Sequence, residues 1–179
     1  MLQNYSRWKV AQVFFNEPSK EHYLNEISRK SDLSHTSVKK HLEALIEDKI
    51  IEKKLEERGS REYPRYIANL ENEDYKFYKK TDLISRLQET GLIDFLEEKL
   101  YPDCIVLFGS ASRGEDIEES DVDLFLQSKE KDLDLTDFEE ELNREIELHI
   151  REKFKELPEE LKNNIANGIT LHGFLEVFE

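Results

Sequence analysis

Apolar positions along the first 50 residues follow the spacing of three helices. The pattern predicts helices over Tyr5–Phe15, Tyr23–Arg29 and His35–Lys49, each with an apolar stripe recurring every three or four residues. Ser34 stands directly before the third helix. It is a good N-cap, because its hydroxyl can accept a backbone N–H of the first turn.

After the third helix, the pattern changes to that of two strands joined by a turn. The sequence predicts strands over Ile50–Leu55 and Tyr63–Ala68, with the turn at Glu57–Arg61. Pro64 indicates an edge position for the second strand, because proline cannot donate to a sheet ladder. Three helices followed by a hairpin is the order of a winged helix-turn-helix, which we assign to residues 1–70.

The segment from Leu24 to Leu42 resembles the winged-helix regulators of bacteria and archaea. In that family the third helix lies in the major groove and the wing contacts phosphate, so the resemblance implies DNA binding. Hydroxyl groups and positively charged side chains on the third helix and on the wing can contact phosphates and base edges. The candidate DNA-binding residues are Thr36, Ser37, Lys39, Lys40, Arg58 and Arg61. Glu43 and Glu47 make the far end of the third helix acidic, so a winged helix that serves protein contact or a homodimer is the alternative.

The next 32 residues, 71–102, have apolar and aromatic positions at helical spacing and predict a long helical connector. Gly91 is expected to bend or divide it. The remainder, residues 103–179, begins with the continuous apolar run Cys104–Phe108, which indicates a strand buried on both faces. Further strands are predicted at Asp121–Leu126 and Arg144–Ile150.

The segment between the first two of these strands suits a phosphate ligand. Gly109 lets the backbone turn sharply and approach a ligand closely, and a helix start after it exposes N–H groups that attract phosphate. Ser110 adds a hydroxyl donor, and Arg113 can reach a triphosphate with its guanidinium. We predict Gly109, Ser110 and Arg113 as nucleotide-binding residues.

Carboxylates are expected to gather beside this segment. Asp121 and Asp123 are two apart on a strand, so both face the same side, and such a pair suits Mg²⁺. The strand around Arg144–Ile150 places Glu147 and His149 on one face. We predict Asp121, Asp123 and Glu147 as metal ligands and catalytic residues, with Glu147 also able to accept a proton. His149 and His172 are interpreted as hydrogen-bonded structural residues.

Residues 105–126 resemble the minimal nucleotidyltransferase branch of the DNA polymerase beta superfamily. The family pattern is Gly-Ser, a short helix with Arg-Gly, then Ser-Asp-x-Asp-Leu, and this chain carries it from Gly109 to Leu124. The resemblance implies that Gly109 and Ser110 bind phosphate and that Asp121 and Asp123 hold magnesium. The third carboxylate of the family is usually Asp, whereas this chain has Glu147, which is longer by one methylene.

The whole order of segments resembles archaeal two-domain proteins with a winged helix and a nucleotidyltransferase domain. We therefore predict an α+β protein: a winged helix-turn-helix, a long helical connector and a C-terminal nucleotidyltransferase fold with a mixed sheet flanked by helices. The net charge of −15 is unevenly spread. Residues 1–70 hold 13 Lys or Arg against 11 Asp or Glu, whereas residues 101–179 hold 8 against 22. Any DNA contact is therefore expected from the first part.

The expected activity is transfer of AMP from ATP, with Mg²⁺, to a hydroxyl of a protein or other acceptor. The minimal branch includes antitoxins that adenylylate a tyrosine of HEPN-domain toxins, so the resemblance implies a partner of that kind. Two alternatives remain: a transcriptional regulator whose second domain only binds nucleotide, and a protein-interaction scaffold. No apolar stretch reaches the roughly 20 residues that span a bilayer, and a cytoplasmic location without a membrane partner is expected.

Overall fold

The computed structural model of the chain describes residues 5–58 and 61–177, with the side chains of Arg58 and Arg61 outside its description. The chain divides into two compact units, unit 1 (Met1–Asp82) and unit 2 (Leu83–Glu179). The structure is mixed α and β, with one sheet in each unit. This confirms the predicted α+β class.

The described part of unit 1 contains three complete helices, the first turns of a fourth, and a three-stranded antiparallel sheet in the order β1-β3-β2. The helices are α1 (Ser6–Asn16), α2 (Leu24–Ser31) and α3 (His35–Glu47), and the strands are β1 (His22–Tyr23), β2 (Ile51–Arg58) and β3 (Arg61–Ala68). All three helices lie within two residues of their predicted bounds. Ser34 caps α3 as predicted, since its hydroxyl accepts the Ser37 N–H at 3.3 Å.

The core of unit 1 is built from the apolar stripes of these helices. Phe14, Ile27 and Val38 are fully buried, one from each helix. The first part of α4 (Glu73–Glu89) closes this core, because Tyr75 is buried and its hydroxyl donates to the Phe14 carbonyl at 2.8 Å. Burying such side chains stabilises the unit by about 1.5–3 kcal/mol each.

The position of Pro64 corrects one expectation. The strand that contains it, β3, was expected at an edge, but it is the middle strand of its sheet. The missed strand β1 has two residues, and it pairs with Tyr66 and Arg65 alone. Pro64 therefore lies just beyond the end of β1, opposite Leu55 of β2, so the side of β3 facing away from β2 needs no N–H donor there.

The predicted connector is two helices, α4 and α5 (Leu92–Leu100). Gly91 separates them, as expected, and has the positive φ of +75° that favours glycine. The boundary between the units falls inside α4, at Asp82 and Leu83. The first turns of α4 therefore belong to unit 1, and its last turns, with α5, belong to unit 2.

Unit 2 is built on a four-stranded mixed sheet in the order β6-β5-β4-β7. The strands are β4 (Cys104–Leu107), β5 (Val122–Gln127), β6 (Ile146–Arg151) and β7 (Ile169–Gly173). Among the described strands of this sheet, β5 and β6 run parallel, and the β4–β5 and β4–β7 pairs are antiparallel. The helices are the end of α4, α5, α6 (Gly109–Arg113), α7 (Thr136–Leu142) and α8 (Glu159–Ala166), with a 3-10 turn at Phe154–Glu156.

Both faces of the unit 2 sheet are covered, which explains why β4 is apolar throughout. On one face, Ile105 and Leu124 pack with Leu87 and Leu96 in the larger core. On the other face, Cys104, Val106, Phe108 and Phe125 pack with Phe154, Leu157 and Ile165 in a smaller core. Side chains alternate along a strand, so Asp123 shares the smaller-core face with Phe125. None of the helices in the described part of the chain has the length and apolar character needed to span a bilayer.

Candidate metal centre

The turn after β4 is shaped by a carboxylate that lies against it. Gly109 begins α6 with a φ of +71°, and a Cβ placed there would lie 2.1 Å from Asp123 Oδ2. A side chain there would displace that carboxylate and would also adopt a strained backbone. The Phe108 N–H donates to the Asp123 carbonyl at 3.1 Å, so the turn and β5 are fixed to each other at this point.

Three side chains meet where β5 and β6 run in parallel. Asp123 pairs with Glu147, and Phe125 pairs with His149. Strand alternation therefore places Asp123, Glu147 and His149 on one face, and each offers a ligand atom within 4.8 Å of the other two. His149 Nε2 lies 3.4 Å from Glu147 Oε1 and 3.9 Å from Asp123 Oδ1. We call these three residues the Asp123 cluster.

The charges in this cluster repel one another. Burial raises the pKa of the Asp123 carboxyl above its ordinary value, and the negative charge of Glu147 raises it further. Asp121 adds to the increase, whereas His149 and Arg144 oppose it. In the described part of the chain, neither Asp123 nor Glu147 forms an ion pair with a lysine or arginine. A cation at this place would remove the repulsion.

Arg144, just before β6, fixes the backbone that carries the aspartates. Its guanidinium donates to the Ser120 carbonyl at 2.5 Å and to the Asp121 carbonyl at 3.2 Å. The same group donates to the buried Asp116 carboxylate at 2.8 Å. Two carbonyls and one carboxylate thus share a single arginine, which orients the start of β5 with bonds that favour a charged donor.

This donor set fits a hard divalent cation. Asp123 and Glu147 present carboxylate oxygens on one face, and Asp121 is near enough for its charge to raise the pKa of Asp123. Magnesium prefers such oxygen ligands and usually keeps waters or takes phosphate oxygens for its remaining positions. The open side of Glu147, whose side chain is 56% exposed, leaves room for these further ligands.

Comparison with known families decides what this unit is. Residues 90–173 match the family model described as "Polymerase beta, Nucleotidyltransferase". Unit 2 is a nucleotidyltransferase domain of the polymerase beta type. The match begins just before α5 and ends with β7, so it contains the whole four-stranded sheet and all members of the Asp123 cluster.

The remaining comparisons give one distant structural similarity and no curated relative. A solved structure titled "Possible transcriptional regulator", from Methanosarcina mazei Go1, is similar to this chain with a TM-score of 0.38 and 18% sequence identity. The alignment covers 54% of this chain and 78% of that one. The curated proteins contain no match.

Within the nucleotidyltransferase domain, the predicted site residues do not all lie in one cluster. Asp123 and Glu147 meet as expected, and Asp121 precedes β5 outside the group that shares ligand distances. Gly109 borders Asp123, with Ser110 next to it in α6. Arg113 is exposed at the end of α6 and donates to Glu115 at 2.7 Å, so a nucleotide would compete with Glu115 for its guanidinium.

Two residues that the sequence analysis did not assign to this site lie at it. His149 was interpreted as structural, yet it lies beside both carboxylates and packs edge-on against Phe108, with ring centroids 5.1 Å apart. Its place on the same strand face as Glu147 was the available signal. Arg144 gave no signal, because its partners Ser120 and Asp116 lie more than 20 residues earlier.

The candidate DNA-binding residues lie in unit 1. Thr36, Lys39 and Lys40 are exposed on α3, and Ser37 is partly exposed while its N–H bonds the capping Ser34. Arg58 and Arg61 end and begin the two strands of the hairpin, but their side chains lie outside the described residues.

Proposed function

We propose that this protein is a magnesium-dependent nucleotidyltransferase that moves AMP from ATP to a hydroxyl group of an acceptor protein. The observation that carries the proposal is the meeting of Asp123 and Glu147 across parallel strands, directly against the turn at Gly109. Carboxylate oxygens and a close backbone approach lie within one small region, which supports the proposal. The match to the nucleotidyltransferase family supports the same conclusion.

Each residue has a distinct role in this proposal. When bound, magnesium would supply positive charge that offsets the charge on the phosphates as pyrophosphate leaves. Asp121 and Asp123 would hold the ion, and Glu147 would complete the carboxylate set. Glu147 is the more exposed member of the Asp123 cluster, so it is also placed to accept the proton of an approaching hydroxyl.

The nucleotide would lie along the start of α6. The glycine at 109 allows the sharp turn that brings Asp123 against the start of α6, and the Ser110 hydroxyl would donate to the phosphates. Arg113 would contribute after exchanging Glu115 for a phosphate oxygen, which the exposure of both side chains permits. The charge on the phosphates makes that exchange favourable, since guanidinium binds phosphate with paired hydrogen bonds.

The acceptor is proposed from resemblance. Antitoxins of the minimal branch adenylylate a tyrosine of HEPN-domain toxins, and they share the Gly-Ser and Asp-x-Asp spacing of this chain. A tyrosine hydroxyl on a partner of this type is therefore the first acceptor to test.

A second candidate is a regulator that binds DNA through unit 1 and only senses nucleotide through unit 2. The exposed Thr36, Lys39 and Lys40 on α3 favour it, because such side chains contact bases and phosphates when a helix enters the major groove. We propose that unit 1 is a winged helix-turn-helix that binds DNA in either case. Lys39→Ala/Lys40→Ala should weaken binding to DNA fragments from around the gene, with a reduced dependence on salt.

The enzyme is tested by incubating the protein with magnesium and α-labelled ATP, alone and with the proteins encoded beside its gene. Asp121→Asn/Asp123→Asn should abolish labelling, since losing outer partners of metal ligands already costs about 10–100-fold. Asp132→Asn/Asp134→Asn is the matched control, because it makes the same changes at an Asp-x-Asp pair outside the site. Label transfer should survive there.

The outcomes separate the two candidates. Labelled acceptor that disappears only in the Asp121/Asp123 variant supports the enzyme. Magnesium-dependent ATP binding in calorimetry without any label supports the nucleotide sensor. If the protein neither transfers label nor binds nucleotide, both candidate functions of unit 2 are contradicted.

A further inference from the structure

A histidine in unit 1 is buried with one ring nitrogen that makes no hydrogen bond. His22, in β1, is 0% exposed, and its ring packs edge-on against Phe14 with centroids 5.4 Å apart. Its Nε2 lies 3.5 Å from the Glu17 carbonyl and 3.6 Å from Glu17 Oε2, and both oxygens accept a hydrogen bond. The proton therefore belongs on Nε2, and Nδ1 presents a lone pair with no hydrogen-bond partner among the described residues.

This lone pair faces a carboxylate. Nδ1 of His22 lies 3.4 Å from Glu26 Oε2. Burial of Glu26 alone would raise its pKa, but hydrogen bonds from Lys20 and Lys30 outweigh that and lower the pKa to about 2. Burial lowers the pKa of His22. With the proton on Nε2, Nδ1 and the Glu26 carboxylate oxygen are two acceptor atoms 3.4 Å apart, an arrangement that a positive ion between them would stabilise.

The distances match those of ligands around one metal ion. Glu17, His22 and Glu26 each offer an atom within 4.8 Å of the other two. In a tetrahedral zinc site, metal–ligand bonds of about 2.0–2.2 Å place neighbouring ligand atoms roughly 3.3–3.5 Å apart, and His22 and Glu26 are separated by 3.4 Å. Metal-binding histidines also commonly donate their second ring N–H to a backbone carbonyl, as Nε2 does here.

We propose that Glu17, His22 and Glu26, the Glu17 cluster, form a binding site for a divalent transition-metal ion of the zinc type. An imidazole with two carboxylates is a donor set that suits zinc better than magnesium. Glu17 caps the end of α1, His22 is in β1 and Glu26 is in the first turn of α2. The bound ion would therefore tie the end of α1 to the beginning of α2.

Two lysines now balance the carboxylates and would compete with the ion. Lys20 Nζ lies 2.7 Å from Glu26 Oε1, and Lys30 Nζ lies 3.1 Å from the same oxygen and also contacts Glu17 Oε2. Glu26 Oε2, which faces His22, is not in either pair. Both lysine side chains reach solvent, so Lys30 can swing away when an ion takes Glu17.

The test uses Co²⁺ as a coloured substitute for zinc in the full chain. Asp123→Asn/His149→Gln is introduced first, so that two of the three ligands in the Asp123 cluster are gone. One equivalent of Co²⁺ should then give the visible absorption of a four-coordinate ion, and zinc should displace it. His22→Gln should weaken binding at least about a hundredfold, since even outer-shell losses cost 10–100-fold, whereas His41→Gln, on α3, should leave it unchanged.

Lys30→Met separates a binding site from a merely structural cluster. Removing the competing ammonium should strengthen Co²⁺ binding, roughly two- to fivefold on the scale of one exposed ion pair. A variant that only damaged the fold would weaken it, and circular dichroism checks folding for each variant. The proposal is overturned if Co²⁺ gives no such absorption, if the absorption persists in His22→Gln, or if Lys30→Met leaves the affinity unchanged or lower.

Discussion

Each unit contains one cluster of two carboxylates and a histidine, the Glu17 cluster in unit 1 and the Asp123 cluster in unit 2. The carboxylate charges in the two clusters are balanced in opposite ways. In the Glu17 cluster, lysines bond the carboxylates, and the pKa of Glu26 falls to about 2. In the Asp123 cluster, burial and the charge of Glu147 raise the pKa of Asp123. The carboxylates of the Glu17 cluster therefore already have lysine counterions, which an incoming ion has to displace. The carboxylates of the Asp123 cluster have no lysine or arginine ion pair within the described residues, so a cation there would displace none.

The largest expected effect concerns the arginine that supports the Asp123 cluster. Arg144→Met removes the cation bound to Asp116, whose side chain is 4% exposed. We expect a loss of about 3–5 kcal/mol in the free energy of unfolding, because the carboxylate stays buried without that charge. Urea unfolding followed by circular dichroism measures it. Asp116→Asn/Arg144→Met should recover much of the loss, and an Arg144→Met loss below about 1 kcal/mol would contradict the support role.

The turn that holds Asp123 can be tested with two glycines of similar backbone conformation. Gly109→Ala should cost about 2–4 kcal/mol, because strain at its φ of +71° adds to a contact of 2.1 Å with Asp123. Gly91→Ala is the matched control, with a φ of +75° and nothing within 4 Å of the new Cβ, and should cost about 1 kcal/mol. Equal losses in the two variants would show that Asp123 can move away freely.

In unit 1, Glu26→Gln should destabilise the protein by about 2 kcal/mol, the scale of hydrogen bonds to a charged group. The folded pKa of about 2 lies below the ordinary 4.5. The contribution of Glu26 is therefore complete above pH 4.5 and disappears as the pH falls to about 2. Fluorescence of Trp8, the one tryptophan of the chain, follows unfolding of unit 1, measured with a chelator. A difference between variant and parent that did not change with pH would argue against this cause.

The smallest expected effect is an increase in the free energy of unfolding. Asp123→Asn should stabilise the chelated protein by about 0.5 kcal/mol, on the scale of one partly exposed charge pair. Because the folded pKa of Asp123 is raised, its ionisation costs stability as the pH rises through that pKa, and acidification from neutral pH restores it. Adding magnesium should raise the melting temperature of the parent and not of the variant. If Asp123→Asn and Glu26→Gln changed stability in the same direction, the contrast between the clusters would fail.

Much of the fold could be predicted because the signals are local. The stripes of α1 and α3, the cap at Ser34 and the division at Gly91 depend on neighbours within a few residues. The short strand β1 could not be predicted, since its two residues are defined by their partners on β3. The boundary inside α4 is similar, because helical spacing alone does not tell which core receives Tyr75 and which receives Leu87.

For the candidate site too, features set by neighbouring residues could be predicted, and contacts between distant segments could not. The spacing from Gly109 to Asp123 was visible as a motif, and alternation placed Glu147 and His149 on one face. The meeting of Asp123 with Glu147 depends on the register between β5 and β6, which is a property of the assembled sheet. The ion pair of Arg113 with Glu115 and the three bonds of Arg144 arise only after that assembly.

The close contact between Gly109 and Asp123 also constrains how this sequence can change over generations. The Asp123 carboxylate occupies the volume that a side chain at position 109 would need. Replacing Gly109 while Asp123 is present destabilises the fold. Replacing Asp123 by a smaller residue first removes the carboxylate and makes room for a side chain at position 109. Among descendants that keep the aspartate, the glycine should therefore persist, and descendants that abandon the chemistry should lose the two residues in a fixed order, aspartate before glycine.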